Sequence, residues 1–310
     1  MFQRQIIIDG IEFAKVQDYD DRSKIMTKKL RAKPMIKKIY AEIREEIDAK
    51  NLSPRLDVII LGEDPASLYY VQNLQKKGEK IGIEVNALNL DPKLSQENLL
   101  AKIDEMNNNP KVSGVMLQKP LPNHLNETEI VNAINPKKDV DGFHPVNMGK
   151  LVLDEPGFVP CTPAACIEMM KFYEIETSGK NVVIIGRSNI VGKPLANLLL
   201  RKDKYANATV TVCHSRTQNL AEISKQADIL ISAIGIPFFV KEGMIKKDAI
   251  VIDVGVNQIE DVEKGFRYVG DVDYEACFEK SSEITPVPGG VGSVTTSMLL
   301  KNVLIASQNL

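Results

Sequence analysis

From Lys33 onward, the apolar positions of the chain switch between a helical period and short β-branched runs. Pro34 suits the first turn of a helix running to about Lys50, and RLDVIIL, Arg55 to Leu61, predicts a buried strand. A helix from about Ala66 to Ile81, a strand near Ile83 to Leu88, a helix from about Gln96 to Asn107 and the strand SGVML, Ser113 to Leu117, follow. This alternation is βαβ, so it predicts a parallel sheet with helices on both faces. Asn135 to Pro160 is rich in Pro, Gly and Asp without sustained periodicity. It predicts loops around an active cleft, ending at a domain boundary near residue 158. Beyond it come strands in NVVII (Asn181 to Ile185), ATVTVC, ADILISAIG (Ala227 to Gly235) and AIVIDVGVN (Ala249 to Asn257), with a helical run from Leu195 to Leu200. PVPGGVG, Pro286 to Gly292, predicts a rigid loop, followed by an apolar final helix from about Val294 to Ala306. Parallel strands place ligands at their carboxyl ends. The loops after Leu61, Leu117, Ile185, Ile234 and Val254 are therefore expected to gather at a cleft between two α/β units.

Composition narrows the class. The chain has 310 residues, 44% hydrophobic and 26% charged, with net charge −2. That is room for two domains, without the basic bias of a nucleic-acid or membrane-surface binder. No apolar run would span a bilayer. The N-terminal residues carry acids and only a three-isoleucine run, which argues against a secretory or mitochondrial signal and for a cytoplasmic protein. Cys161, Cys166, Cys213 and Cys277 lack metal or redox spacing and predict reduced, buried thiols, and His124, His144 and His214 are isolated, so no metal site is expected.

Candidate chemistry concentrates in NVVIIGRSNIVGKP. A strand ends in Gly186, turns through polar residues and meets Gly192 before the next helix, in the order of a dinucleotide-binding unit. Gly186 would allow the tight turn and Gly192 the close backbone approach, while the helix N-terminus offers N–H groups to a pyrophosphate. The spacing departs from G-x-G-x-x-G, with Ser188 where the second glycine belongs. The following strand ends His214-Ser215-Arg216, where NAD-preferring units carry an acid. Two planar guanidinium groups, Arg187 and Arg216, with a hydroxyl suit a 2′-phosphate and hence NADP. Outside a nucleotide unit the same arginines read as solvated loop residues.

Six segments in order carry a family likeness: GEDPASLYYV, QKPLP, KDVDGFHPVNMGKL, PCTP, GRSNIVGKP and TPVPGGVG. Over roughly Leu30 to Ala306 the chain resembles the bifunctional methylenetetrahydrofolate dehydrogenase/methenyltetrahydrofolate cyclohydrolases. The resemblance implies an N-terminal α/β folate domain, residues 26–158, completed by a C-terminal helix, residues 291–310. It also implies a Rossmann-like NADP-binding domain, residues 159–290, an active cleft between the two, and a homodimer formed through the nucleotide domain. Residues 1–25 are an N-terminal extension beyond the likeness. The implied activity is NADP-linked oxidation of 5,10-methylenetetrahydrofolate to the methenyl form, followed by hydrolysis to 10-formyltetrahydrofolate.

By the same resemblance, Tyr70 packs on the folate, Gln118 is the active-site glutamine and Asp141 holds the pterin, with Pro288, Gly289, Gly290 and Gly292 over the substrate. Arg187 and Ser215 match positions for the 2′-phosphate, and Ser188 and Thr162 line the cofactor side. Gly186, Ile190, Gly192, His214, Arg216 and Gly235 complete the expected dinucleotide set. A carboxylate can accept from a pterin amino group and ring N–H together. Asp139 suits this as well as Asp141, since residues two apart on an extended segment face the same way; only the family match selects Asp141. Tyr70 read alone is a core aromatic, and His144 reads as a structural hydrogen-bonding residue.

The chain departs from the family at one telling place. The resemblance expects a lysine one helical turn after Tyr70, central to the cyclohydrolase step, where this chain has Leu74. Lys76 and Lys77 lie about 200° and about 300° around the helix from it. Lys119 stands where the family usually has leucine, and it is expected to bring an ammonium to the same pocket from the opposite wall. Ala164-Ala165 and Ser293-Val294 also differ from the usual pattern. Three readings follow: a dehydrogenase with its cyclohydrolase step weakened, lost or rebuilt around Lys119; a fully bifunctional enzyme; and a non-catalytic relative that binds folate and NADP.

Overall fold

The computed structural model describes residues 27–263 and 265–309; the N-terminal extension lies outside the described residues. The first lobe follows the predicted alternation. Helix α1 (Ala32–Lys50), after the two-residue strand β1 (Lys28–Lys29), buries Met35, Ile39, Ile43 and Ile47, a stripe at three-to-four-residue spacing. Strand β2 (Arg55–Leu61) is the centre of a parallel three-stranded sheet, flanked by β3 (Glu84–Leu90) and β4 (Gly114–Leu117). Its apolar residues Leu56 and Val58 to Leu61 suit burial on both faces, and the buried Asp57 among them pairs with Arg55 and Asn86. Helices α2 (Pro65–Lys80) and α3 (Gln96–Asn108) link these strands. The Asp64 carboxylate caps α2 by accepting from Ser67 N at 2.8 Å, and Pro65 fills the first turn. Helix α4 (Glu127–Ala133) follows.

The stretch read as loops contains a helix, α5 (Pro145–Val152), which corrects the expectation for Asn135 to Pro160. Local side-chain caps form it where periodicity is weak. The buried Asp139 carboxylate accepts from Phe143 N, His144 N and Asn147 Nδ2 at 3.3, 2.8 and 2.9 Å, and His144 Nδ1 accepts from Val146 N. Helix α6 (Cys161–Phe172) was not anticipated either.

The second lobe is a six-stranded sheet in the order β1-β11-β8-β7-β5-β6, every pairing parallel. Its strands are β5 (Asn181–Ile185), β6 (Thr209–Cys213), β7 (Ile229–Ser232), β8 (Ala249–Asp253) and β11 (Ser281–Ile284), with β1 on the far edge. Helix α7 (Gly192–Leu200) begins at the second glycine, three residues before the apolar run that signalled it. The short helices α8 (Leu220–Ser224) and α9 (Tyr274–Phe278) and a hairpin of β9 (Asn257–Asp261) and β10 (Gly265–Val269) complete the lobe. β7 and β8 are shorter than their apolar runs, because Ala233–Gly235 and Val254–Val256 turn away at the carboxyl ends. The last helix, α10 (Val291–Ser307), packs on α1 and α6 and reaches β2 and β4. Asn302 Nδ2 donates to Val140 O at 2.8 Å, tying α10 to the segment that carries Asp141.

Candidate active site

At the carboxyl ends of β2 and β4, four side chains converge. Gln118 follows β4 directly; its Nε2 donates to Lys119 O at 3.0 Å and to Ser67 Oγ at 3.4 Å. Those bonds orient the amide and leave Oε1 buried without a partner. A buried acceptor without a donor is costly, so this atom is an address for a ligand N–H or O–H. Tyr70 lies one turn along α2 from Ser67, half-buried against the main core. Burial pushes its phenol pKa up, and the nearby Asp141 charge adds to the shift, so the hydroxyl stays neutral.

Gly114 lets the chain from Lys138 to Asp141 run beside β4, since a Cβ there would sit 2.5 Å from Val140 Cγ1. Lys138 is buried with Nζ donating to Met106 O and Asn109 O, which anchors the same segment. Asp139 and Asp141 then part company. The Asp139 carboxylate is consumed by its own turn, whereas that of Asp141 accepts no hydrogen bond among the described residues and keeps a partly open face. Burial, reinforced by Asp139 and opposed by Lys119, pushes the Asp141 pKa up to about 7. Spacing alone left the two acids equivalent; the donors of α5 separate them. His144 is structural in geometry, with Nε2 3.3 Å from Asn132 O.

Leu74 has no exposed surface and belongs to the core. Lys76 is exposed, and Lys77 is half-buried, its pKa lowered by burial and opposed by Tyr69 on the outer face. Neither replaces a lysine at 74. Lys119 Nζ donates to Glu127 Oε1 at 2.6 Å and lies 5.0 Å from the Phe143 ring centroid. Its charge reaches Asp141, but its ammonium is tied to the outer wall.

The dinucleotide candidates gather at the carboxyl ends of the second sheet. Gly186 has φ +128°, and a Cβ on it would lie 2.3 Å from Ala233 O; one on Gly192 would lie 2.1 Å from Gly186 O. Both glycines are required by backbone packing. Ser188 Oγ accepts from Val191 N at 3.1 Å and Gly192 N at 3.5 Å, and Ser188 O accepts from Lys193 N. The first donors of α7 are thus engaged by the turn itself, a correction to the expectation that they stand free for a pyrophosphate. Because Ile185 pairs with Cys213, the turns after β5 and β6 lie side by side. His214 Nδ1 accepts from Arg216 N, and this leaves Ser215 and Arg216 at the surface beside Arg187 and Ile190. Among the described residues, neither guanidinium has an ion-pair partner. Gly235, with φ +69°, is exposed across the crevice. An NADP molecule fits this donor set, with two free cations and a hydroxyl for a 2′-phosphate.

The loop before α10 ties α1 to the segment after β8. Gly289 has φ +99°, its carbonyl accepts from Ala32 N at 2.8 Å, and a Cβ on Gly290 would sit 2.5 Å from Pro286 O. Pro288 and Gly289 are exposed, while Gly292 lies against Val256 beyond β8. Thr162 Oγ1 lies 3.3 Å from Thr295 Oγ1, which joins the start of α6 to α10. Sequence reasoning missed Ser67, Asp253 and Asp271; only their tertiary partners give them away.

Fold and site together define a dinucleotide-binding α/β enzyme with an acid-bearing substrate hollow beside the cofactor crevice. Residues 30–141 match the tetrahydrofolate dehydrogenase/cyclohydrolase catalytic domain, and residues 160–310 match the NAD(P)-binding domain of the same family. The bifunctional protein FolD of Chloroherpeton thalassium is 52% identical over 280 residues, 86% of this chain and 95% of the relative. That of Acetivibrio thermocellus is 48% identical over 284 residues, 91% and 97% of the two chains. Among solved structures, the Campylobacter jejuni bifunctional FolD superposes with TM-score 0.86 at 42% identity, covering 91% of this chain and 99% of that one. A Trypanosoma brucei enzyme of the same name, complexed with NADP cofactor and inhibitor, gives 0.85 at 36% identity, covering 91% and 98%. This chain belongs to the tetrahydrofolate dehydrogenase/cyclohydrolase family.

Proposed function

We propose that the protein oxidises 5,10-methylenetetrahydrofolate to 5,10-methenyltetrahydrofolate with NADP, in one-carbon metabolism, and that its cyclohydrolase step is weakened by Leu74 or rebuilt around Lys119. The observation that carries the reading is the open Asp141 carboxylate beside the unpartnered Gln118 Oε1 and the Tyr70 ring, one loop away from a cofactor crevice. Ionised Asp141 accepts from the pterin amino group and ring N–H, a charge-assisted pair. Gln118 Oε1 accepts a further substrate donor, its amide fixed by Ser67 and the Lys119 carbonyl. Neutral Tyr70 offers a ring face. Arg187, Ser215 and Arg216 take the 2′-phosphate, and Pro288, Gly289, Gly290 and Gly292 close over the substrate. When bound, NADP supplies the hydride acceptor.

The two half-reactions ask different things of these residues. Oxidation leaves a cation shared by two substrate nitrogens and requires alignment rather than an enzyme base. Hydrolysis requires protons to be moved, where a positioned side chain contributes roughly 10²–10⁴-fold. Leu74 offers none. Lys119 supports the rebuilt alternative because its charge acts on Asp141, although its ammonium is held by Glu127. A fully bifunctional enzyme is the second reading, favoured by relatives named bifunctional at about half identity.

The domain division fits the same picture: residues 26–158 with 291–310 as the folate domain, 159–290 as the nucleotide domain. A homodimer through the nucleotide domain fits the exposed outer edge of β6, where Val212 faces solvent. Four buried free cysteines suit a cytoplasmic setting, and no helix among the described residues is long and apolar enough to cross a membrane.

Paired kinetics on one preparation test the proposal. NADP reduction with methylenetetrahydrofolate is expected, with loss of methenyltetrahydrofolate barely faster than its spontaneous rate. If hydrolysis is accelerated as well, Lys119→Met decides between a rebuilt site and another route: unchanged folate turnover removes Lys119 from the reaction. Binding of both ligands without turnover would make the protein a non-catalytic relative.

A further inference from the structure

Behind the cofactor crevice lies a second pair of acids, Asp271 and Asp253, both buried. Asp271 follows β10 and has no exposed surface. Its Oδ2 accepts from Ile234 N at 2.8 Å, Gly235 N at 3.2 Å and Ser232 Oγ at 3.3 Å. Its Oδ1 accepts from Ile236 N at 3.0 Å and Asn257 Nδ2 at 2.9 Å. Three consecutive backbone N–H groups of the turn after β7 therefore converge on one carboxylate. Such a nest of donors satisfies a buried carboxyl group and holds the backbone that carries them. The approach is made possible by a glycine: a Cβ on Gly255 would lie 2.1 Å from Asp271 Oδ1.

Asp253, at the end of β8, supports the first acid from behind. Its Oδ1 accepts from Asp271 N at 3.0 Å and Gly255 N at 2.9 Å, and its Oδ2 accepts from Val272 N at 2.9 Å. Asp253 N donates to Thr285 Oγ1 at 2.7 Å, where the Thr285–Gly292 loop begins. Gly270 is the matching relief, since a Cβ there would lie 1.8 Å from Asp253 Oδ2. The strand order fixes what the held turn faces. β5 is the switch point, with β6 on one side and β7 on the other, and a dinucleotide lies across the carboxyl ends there. The 2′-phosphate candidates lie on the β5/β6 side. The redox half of the dinucleotide must then lie over β7, against Ala233 to Ile236.

We propose that Asp271 is a positioning residue for the redox half of the dinucleotide, presetting the turn after β7 through its five accepted hydrogen bonds while touching no ligand itself. The inference rests on the dinucleotide reading of the crevice. Asp271→Asn tests it, because an amide NH₂ opposes at least one backbone N–H of the turn in either orientation, Ile236 N on one side or Ile234 N and Gly235 N on the other. NADP affinity is expected to fall at least tenfold by calorimetry. Affinity for adenosine 2′,5′-bisphosphate, which lacks the redox half, is expected to stay within twofold of the unsubstituted protein. Unchanged NADP affinity, or equal loss of both ligands, would overturn the role. Should this variant not fold, Asn257→Ala, which removes one donor, is expected to weaken NADP about threefold and leave the bisphosphate unchanged, with the same overturning outcomes. Failure of the unsubstituted protein to bind NADP would instead break the dinucleotide reading itself.

Discussion

The molecule carries two pairs of neighbouring aspartates, and they are built for opposite ends. In the second lobe both members are saturated: Asp271 accepts five hydrogen bonds and Asp253 three, every donor coming from the protein. In the first lobe only one member is satisfied. Asp139 spends its carboxylate on the turn into α5, and Asp141, two residues on, is left with a partly open surface and a pKa pushed up to about 7. Burial raises Asp253 to about 7 as well, despite its three donors. A raised pKa therefore does not separate the two pairs. The hydrogen-bond complement does.

Asp139→Ala would break this contrast most severely. It strands three donors of a buried turn, and a loss of about 3 kcal/mol is expected, read as a fall in the chemical-denaturation midpoint. Asp141→Asn should leave that midpoint nearly unchanged while lowering kcat/KM for the folate about 100-fold, as the loss of a charge-assisted pair requires. If Asp141→Asn instead unfolds the protein, the two acids are not opposites. The pH response sharpens the comparison further. Asp141 is raised, so its carboxylate form is scarce at pH 6 and dominant at pH 8. Folate affinity should therefore rise about tenfold across that interval, and Asp141→Asn should flatten the profile. Lys119 lowers the Asp141 pKa, so Lys119→Met is expected to move the profile upward by less than about one unit. The smallest effect belongs to Glu127→Gln. A half-exposed ion pair contributes under about 1 kcal/mol, so stability and folate affinity should barely change.

What could be read from the sequence followed a physical divide. β2, with its apolar run from Val58 to Leu61, and α1, with its regular stripe, declare themselves because the pattern of apolar residues is the burial. Helix α5 does not, since His144, Pro145 and the Asp139 cap form it in a stretch rich in turn residues. Strand β1 is two lysines, and only the edge of β11 makes it a strand. The hairpin β9–β10 lacks a two-residue turn signature, and only its first residue, Asn257, falls within a predicted strand. The site divides in the same way. Gly186 and Gly192 announce a close approach that the backbone contacts bear out. The engagement of Ser188 with the start of α7 and the asymmetry of Asp139 and Asp141 rest on local side-chain caps that leave no period in the sequence, while the nest around Asp271 depends on partners far along the chain.

The closing helix has a consequence for how the protein is made. Its residues Val294, Met298, Leu300 and Val303 share one core with Met35, Ile39 and Ile43 of α1 and with Leu56 and Val58 of β2. During synthesis the N-terminal lobe leaves the ribosome with one wall of that core missing. It gains the wall only when the last twenty or so residues emerge. In the nucleotide lobe, the second core, including Val183, Leu230, Val251 and Cys277, is drawn wholly from residues 183–284 and needs no such wait. The other face of its sheet, with Val182, Ile184, Ile229, Ile231 and Ile252, shares the first core and waits with it. A nascent chain stalled before Val291 would therefore expose an unfinished apolar face on both lobes to chaperones.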